Sequence, residues 1–226
     1  WEAIFCAVRI QDGDAVQAWR EHDALLSEKC EILNKYQFTE LHYENEAGTD
    51  FRVGLVKNHI WEGGSEESGS GVRFIANMPT EEVFTMPDYR KAEGKVVSSR
   101  PLSYRGNLIK DFSLTFHEGK VVDFDAREGY DALKQLLDTD EGSKSLGEVA
   151  LVPYASPISE MGILFYNTLF DENASCHLAL GECYPTTVQD GEKMNEEELH
   201  QIGGNHSINH VDFMIGTKDM KITGIT

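Results

Sequence analysis

The chain is short of what a membrane or nucleic-acid protein needs. No apolar run approaches the roughly 18–20 residues of a membrane span, and Trp1-Glu2-Ala3-Ile4-Phe5 lacks the basic and apolar blocks of a signal peptide. Lys and Arg number 20 against 39 Asp and Glu, a net charge of −19. Nucleic acids and anionic membranes both require a basic surface, so neither is expected as a partner. Only four cysteines are present, with no CxxC pair, which excludes a disulfide framework. His117-Glu118 has no second His at zincin spacing, and neither a GxSxG elbow nor a phosphate-binding Gly-rich loop occurs.

What is present is a globular composition, 40% hydrophobic and 26% charged, long enough for one large domain or one domain with an appended lobe. The chain begins with Trp rather than Met, and Met220 to Thr226 reads as a strand that stops without a partner. Both features suggest truncation of a longer protein. Cys6 and Cys30 read as small core residues. Cys176 and Cys183 flank His177, so a soft zinc site there is conceivable, although structural zinc sites favour closer pairs. Reduced thiols without an export signal favour the cytoplasm.

Val16, Trp19, Leu26, Cys30 and Leu33 recur at spacings of three, four and seven, which predicts a helix from Asp14 to about Tyr36. Phe38–Tyr43 and Phe51–Val56 read as strands of a hairpin around Glu46-Ala47-Gly48. Residues 63–71, rich in Gly, Ser and Glu, read as a flexible loop inside the domain. Strands are expected at Gly94–Tyr104, Leu108–Phe116 and Val121–Phe124, the last two joined by a turn at His117-Glu118-Gly119-Lys120. Further strands fit Glu148–Val152, His177–Leu180 and Val211–Ile215; helices fit Gly129–Leu137, Gly162–Phe170 and Glu196–Gln201. The sum is a strand-rich, mixed-sheet α+β domain with a few packed helices.

Four local signals carry possible chemistry. In His210-Val211-Asp212 a strand would turn the imidazole and the carboxylate to one face, where they could share a zinc, manganese or cobalt ion. The same pair would also suit an exposed edge strand. Glu148 leads into the apolar run Val149–Val152, and a carboxylate there needs a cation, an Arg or a helix N-terminus. His177 opens a strand after Asp171-Glu172, where a hydrogen-bonded core histidine is equally natural. Glu81-Glu82 follows Thr80 and could simply start a helix. Their common feature is a carboxylate or imidazole where a strand begins or ends.

Three segments then bear on one another: Asn77-Met78-Pro79-Thr80-Glu81-Glu82-Val83-Phe84-Thr85, Gly162 to Asn173, and His210-Val211-Asp212-Phe213-Met214-Ile215-Gly216. Together they resemble the thermophilic-type metalloaminopeptidase family, that of aminopeptidase T, aminopeptidase S and PepS, from about Val16 to the end. The resemblance implies a cytoplasmic exopeptidase acting on peptides with a free N-terminus, through a water or hydroxide bridged between two divalent cations. Its metal ligands fall on Glu82, Glu148, Glu172, His177, His210 and Asp212, with Glu148 as the bridge, and its active-site tyrosine on Tyr184. Glu81, beside a ligand, is the candidate proton acceptor by analogy with other two-metal aminopeptidases; as a strand neighbour it could equally point away. Zinc, cobalt, manganese and magnesium all suit the donor set. His200 and His206 receive no role and read as surface residues.

The family is longer, with an N-terminal α/β domain before this region and a further strand after it, and it pairs as a homodimer. Residues 1–226 therefore read as a catalytic domain truncated at both ends. A different two-metal hydrolase, an amidase or phosphoesterase, or a fragment that only binds metal or peptide are the alternatives.

Overall fold

In the computed structural model, which describes residues 1–10 and 13–226, a short helix α1 (Glu2–Ala7) precedes a long one, α2 (Ala15–Tyr36). The Asp14 carboxylate accepts the backbone N–H groups of Val16 and Gln17 at 3.0 and 3.2 Å, which caps α2 at the expected residue. Trp19, His22, Leu26 and Cys30 form its buried stripe. Val16, expected on that stripe, stays exposed. Cys30 lies in the core as expected, whereas Cys6 is only half-buried.

β1 (Glu40–Glu44) and β2 (Asp50–Leu55) form the expected hairpin. The Gly/Ser segment after it is more ordered than its composition suggests. β3 (Ser65–Glu67) pairs with β4 (Arg73–Ile75), and the Asp23 carboxylate of α2 holds both arms, through the Ser65 N–H at 2.7 Å and Arg73 at 2.8 Å. β5 (Val83–Thr85), β6 (Pro87–Val97), β7 (Leu102–Tyr104), β8 (Asn107–His117) and β9 (Lys120–Glu128) follow. At the β8–β9 turn Glu118 and Gly119 both take positive φ (47° and 81°), as a two-residue hairpin requires.

α3 (Tyr130–Leu137), β10 (Leu146–Leu151), α4 (Pro157–Met161), α5 (Thr168–Asp171), β11 (His177–Gly181), α6 (Glu196–Ile202), β12 (His210–Met214) and β13 (Lys221–Ile225) complete the chain. The helix expected over Gly162–Phe170 forms only at its end, from Thr168 in α5. Gly162 instead ends α4 in the left-handed region (φ 62°), and the Asp171 carboxylate takes the N–H groups of Phe165 and Asn167, at 2.7 and 3.1 Å, in a loop. The last strand also departs from expectation. β13 pairs antiparallel with β1, Glu40 opposite Ile225, and covers that strand's open edge.

The strands form a seven-stranded sheet, β13-β1-β2-β6-β8-β7 with β9 also on β8, and a four-stranded sheet, β12-β11-β10-β5. One apolar core lies between them, joining Tyr43, Phe51, Phe112 and Phe116 to Val149, Leu178 and Phe213. This is the expected α+β architecture. No helix among the described residues is long and apolar enough to cross a membrane.

Candidate metal centre

The four-stranded sheet has two chemically opposite faces. Val149, Leu178, Leu180, Val211 and Phe213 point into the core, so alternation sends Glu148, His177, Ala179, His210 and Asp212 to the other side. Register aligns that second set. Ala179 of β11 stands opposite Glu148 of β10 on one side and Asp212 of β12 on the other. His177 and His210 flank this row, and Glu82 enters from the residue before β5. Ala150 and Ala179 are the small residues of this face, Ala150 paired with His177 and Ala179 with Glu148 and Asp212.

The side-chain heads converge. His177 Nε2 lies 2.8 Å from Glu82 Oε2 and 3.5 Å from Glu148 Oε1. His210 Nε2 lies 3.3 Å from Asp212 Oδ1 and 3.7 Å from Glu148 Oε2. Two groups result, Glu82–Glu148–His177 and Glu148–His210–Asp212, each with donor atoms within 4.8 Å of one another. Glu148 belongs to both and turns a different oxygen to each imidazole. Glu172, in the 3-10 turn Glu172–Ala174, lines the same cavity and interacts electrostatically with Asp212.

Both imidazoles are fixed from behind. His177 Nδ1 lies 3.1 Å from the Ser175 carbonyl and His210 Nδ1 lies 2.8 Å from that of Glu182. A carbonyl only accepts, so Nδ1 carries a proton in either charge state, and Nε2 is the ring nitrogen turned to the cavity. His177 Nε2 and Glu82 Oε2 are buried, and despite their proximity neither has hydrogen-bond geometry to any partner. Two buried polar atoms left in this way are costly unless something else binds them.

The electrostatics agree. Burial, reinforced by the carboxylates of Glu82 and Asp212 against an opposing contribution from His177, pushes Glu148 up to about 7. Burial and then Asp212 push Glu172 up to about 10. Burial alone would lower both imidazoles, yet Asp212 and Glu148 raise His210 to about 9, and Glu148 and Glu82 hold His177 well above its usual range. Burial opposes ionisation of Asp212, but His210, with His177 and Glu172, holds that carboxyl low. A crowded set of acids that retains protons in this way has a deficit of positive charge. The orphaned atoms, the oriented imidazoles and this deficit all fit divalent cations, with oxygen and imidazole donors suited to zinc, manganese or cobalt.

The cavity over the cluster has a volume of about 360 Å³ and is also lined by Glu62, Glu66, Asn77, Phe84, Tyr184 and Thr186. The Tyr184 ring packs 4.7 Å from that of His210 and 6.0 Å edge-on from Phe84, and burial followed by the nearby carboxylates raises its hydroxyl. All six expected ligand positions and Tyr184 thus meet in one place. Glu81 does not join them. Its carboxylate is gripped by Arg9 and lies outside the lining of this cavity. His200 stacks on Tyr89 at 4.5 Å and His206 lies 3.1 Å from Glu182, both on the surface.

The soft zinc alternative finds no support among the described residues. Cys176 Sγ is engaged with the Val152 backbone, and Cys183 packs with Val56, Met86 and Leu199. Glu62 and Thr186 had no sequence signal; they reach the cavity from separate segments that only the tertiary fold brings together.

A carboxylate-rich cluster of this kind on an antiparallel sheet is the donor set of a divalent-metal protein. The comparisons are specific. The thermophilic metalloprotease (M29) family matches residues 1–226, and the chain belongs to that family. Aminopeptidase AmpS of Bacillus subtilis (strain 168) is 55% identical over 226 residues, covering 100% of this chain and 55% of the relative. Aminopeptidase T of Thermus aquaticus is 43% identical over 225 residues, covering 54% of its length. Wild-type AmpT from Thermus thermophilus superposes with a TM-score of 0.90 at 43% identity, over 100% of this chain and 54% of that one. A 2,5-dihydroxypyridine dioxygenase from Pseudomonas putida KT2440, 17% identical with a TM-score of 0.58 over 98% of this chain and 58% of that one, shares the fold alone. The chain spans about half the length of the curated relatives it matches.

Proposed function

We propose that the chain is the catalytic part of an aminopeptidase that removes N-terminal residues from peptides with the help of two divalent cations. The observation that carries this reading is Glu148, whose two oxygens face two separate ligand groups. Glu82, Glu148, Glu172 and Asp212 would bring four negative charges, and two divalent cations would balance them. Glu82 and His177 would serve one cation, His210 and Asp212 the other, with Glu148 between them and Glu172 beside Asp212. When bound, the cations supply a hydroxide nucleophile near neutral pH and polarise the scissile carbonyl.

The remaining roles belong to the cavity wall. Among its lining residues there is no Lys or Arg, and Glu66 adds negative charge near the ligands, which suits a substrate bearing a free ammonium group. Tyr184 presents its hydroxyl to the same space and would donate to the developing oxyanion. A proton acceptor has to line the cavity. Glu62 does, and burial raises its pKa while Thr186 donates a hydrogen bond to it. The relatives named aminopeptidases support the choice of reaction.

This reading also takes the whole protein to be a cytoplasmic homodimer. The resemblance supports the pairing, and the free thiols of Cys6, Cys30, Cys176 and Cys183 support the compartment.

Aminoacyl-nitroanilide hydrolysis by the full-length protein, before and after chelation, tests the proposal. Turnover that survives EDTA would remove the metal from the mechanism. Turnover of N-acetylated substrates would replace the aminopeptidase by an amidase, and turnover of phosphate esters would favour a phosphoesterase.

A further inference from the structure

Glu82 lies in an irregular stretch just before β5, so strand pairing does not by itself hold it. Side chains from three elements do. His22 of α2 donates from Nε2 to the Thr80 carbonyl at 2.6 Å. Asn173, adjacent to Glu172, accepts the Glu81 backbone N–H on Oδ1 at 2.6 Å and donates from Nδ2 to the Leu169 carbonyl at 2.8 Å. Arg9 clasps the Glu81 carboxylate with both guanidinium nitrogens, and His22 Nε2 stands 3.7 Å from one of its oxygens. The Arg9 segment is itself fastened to α2, where Trp19 Nε1 donates to the Val8 carbonyl at 2.7 Å.

We infer that Arg9, His22 and Asn173 form a clamp whose work is to place Glu82 and Glu172 for metal binding, with Glu81 as its handle. Glu81 is then a positioning residue, and its conspicuous location beside Glu82 reflects anchorage. Asn173 is the joint of the clamp, because one side chain ties the segment of Glu82 to that of Glu172. A fork of two parallel bonds fixes direction as well as distance, which a single charge on a flexible stem does not. The Glu81 carboxylate is paired with the Arg9 guanidinium, outside the lining of the cavity. Groups that orient ligands from behind in this way commonly contribute about 10–100-fold to metal affinity.

The inference rests on the reading of Glu82 and Glu172 as ligands, and the experiment separates the two. Zn²⁺ affinity of the full-length protein is measured by competition with a chromophoric chelator, well below the unfolding temperature of each variant. Glu82→Gln tests the ligand reading; wild-type affinity there would overturn it. Arg9→Gln and Asn173→Ala test the clamp, each expected to weaken Zn²⁺ about 10–100-fold. Arg9→Lys should recover only part of the loss, because it keeps the charge without the fork. Arg9 is partly exposed, so Arg9→Gln keeps the test open even where Asn173→Ala fails to fold. Arg52→Ala, which breaks the exposed pair with Glu40, serves as the control with unchanged affinity. Glu81→Gln distinguishes handle from base: weakened Zn²⁺ binding supports the clamp. Unchanged binding with a kcat reduced about 10²–10⁴-fold at saturating metal would overturn it in favour of proton transfer.

Discussion

Glu148 and Asp212 stand on opposite sides of the same residue, Ala179, one on each neighbouring strand of the four-stranded sheet. Cross-strand partners share a face, so both carboxylates lean over a methyl group, and the space above it is where their oxygens meet His210. The site is therefore made as much by what Ala179 omits as by what its neighbours supply.

That relationship predicts the effect of Ala179→Leu. The added atoms enter the ligand face of a fully buried position, and overpacking of this kind costs roughly 1–3 kcal/mol. Metal binding should fall by far more than stability does. Metal content after dialysis, read beside a thermal melt, checks this; a variant that melts lower but retains its metal would contradict it.

On the proposed two-cation reading, Glu148→Ala should release both cations rather than one. Elemental analysis of the purified variant gives the answer directly. One retained equivalent would move the bridge elsewhere, and two would refute any shared role for Glu148.

Tyr184→Phe keeps the ring against His210 and Phe84 but removes the hydroxyl. The expected result is a kcat lower by about 10²–10³-fold with metal content unchanged, if the hydroxyl is the oxyanion donor of the proposed mechanism. A variant as fast as the parent would leave the tyrosine with a packing role only.

Asp140 provides a pH-dependent test away from the metal cluster. Partial burial alone would raise its pKa, but the Ile208 N–H and the Ser143 and Ser207 groups donate to it and bring it down to about 2. An unfolded aspartate titrates near about 3.9. The stabilisation is thus full above about pH 4 and is lost as pH falls through about 2. Asp140→Asn should cost about 1–2 kcal/mol at neutral pH, allowing for the partial exposure of the group, and much less near pH 2. Urea midpoints of parent and variant at both ends of that range check the sign; a constant difference would show that the charge is not involved.

The sequence was most informative where a local rule acts. Asp14 as a cap, the paired turn at Glu118-Gly119 and the alternation of His210 with Asp212 all depend on residues within a few positions of one another. Gly162–Phe170 shows the limit, for its apolar spacing suits a helix while Gly162 and the carboxylate of Asp171 make a loop of the part before Thr168. β13 shows another, since an end strand acquires its partner, β1, only through contacts across most of the chain. Glu172 and Tyr184 were visible only through resemblance, because no periodicity places two residues of irregular turns over a distant sheet.

By itself the sequence determined the strand-rich class, the donors available, and the face on which His210 and Asp212 lie, because alternation is a property of the backbone. Tertiary structure alone decided which oxygen of Glu148 meets which imidazole, and that Glu81 turns to Arg9 while Glu82 turns to His177. Adjacent residues in an irregular segment have no fixed relative direction; only the partners that fold around them supply one.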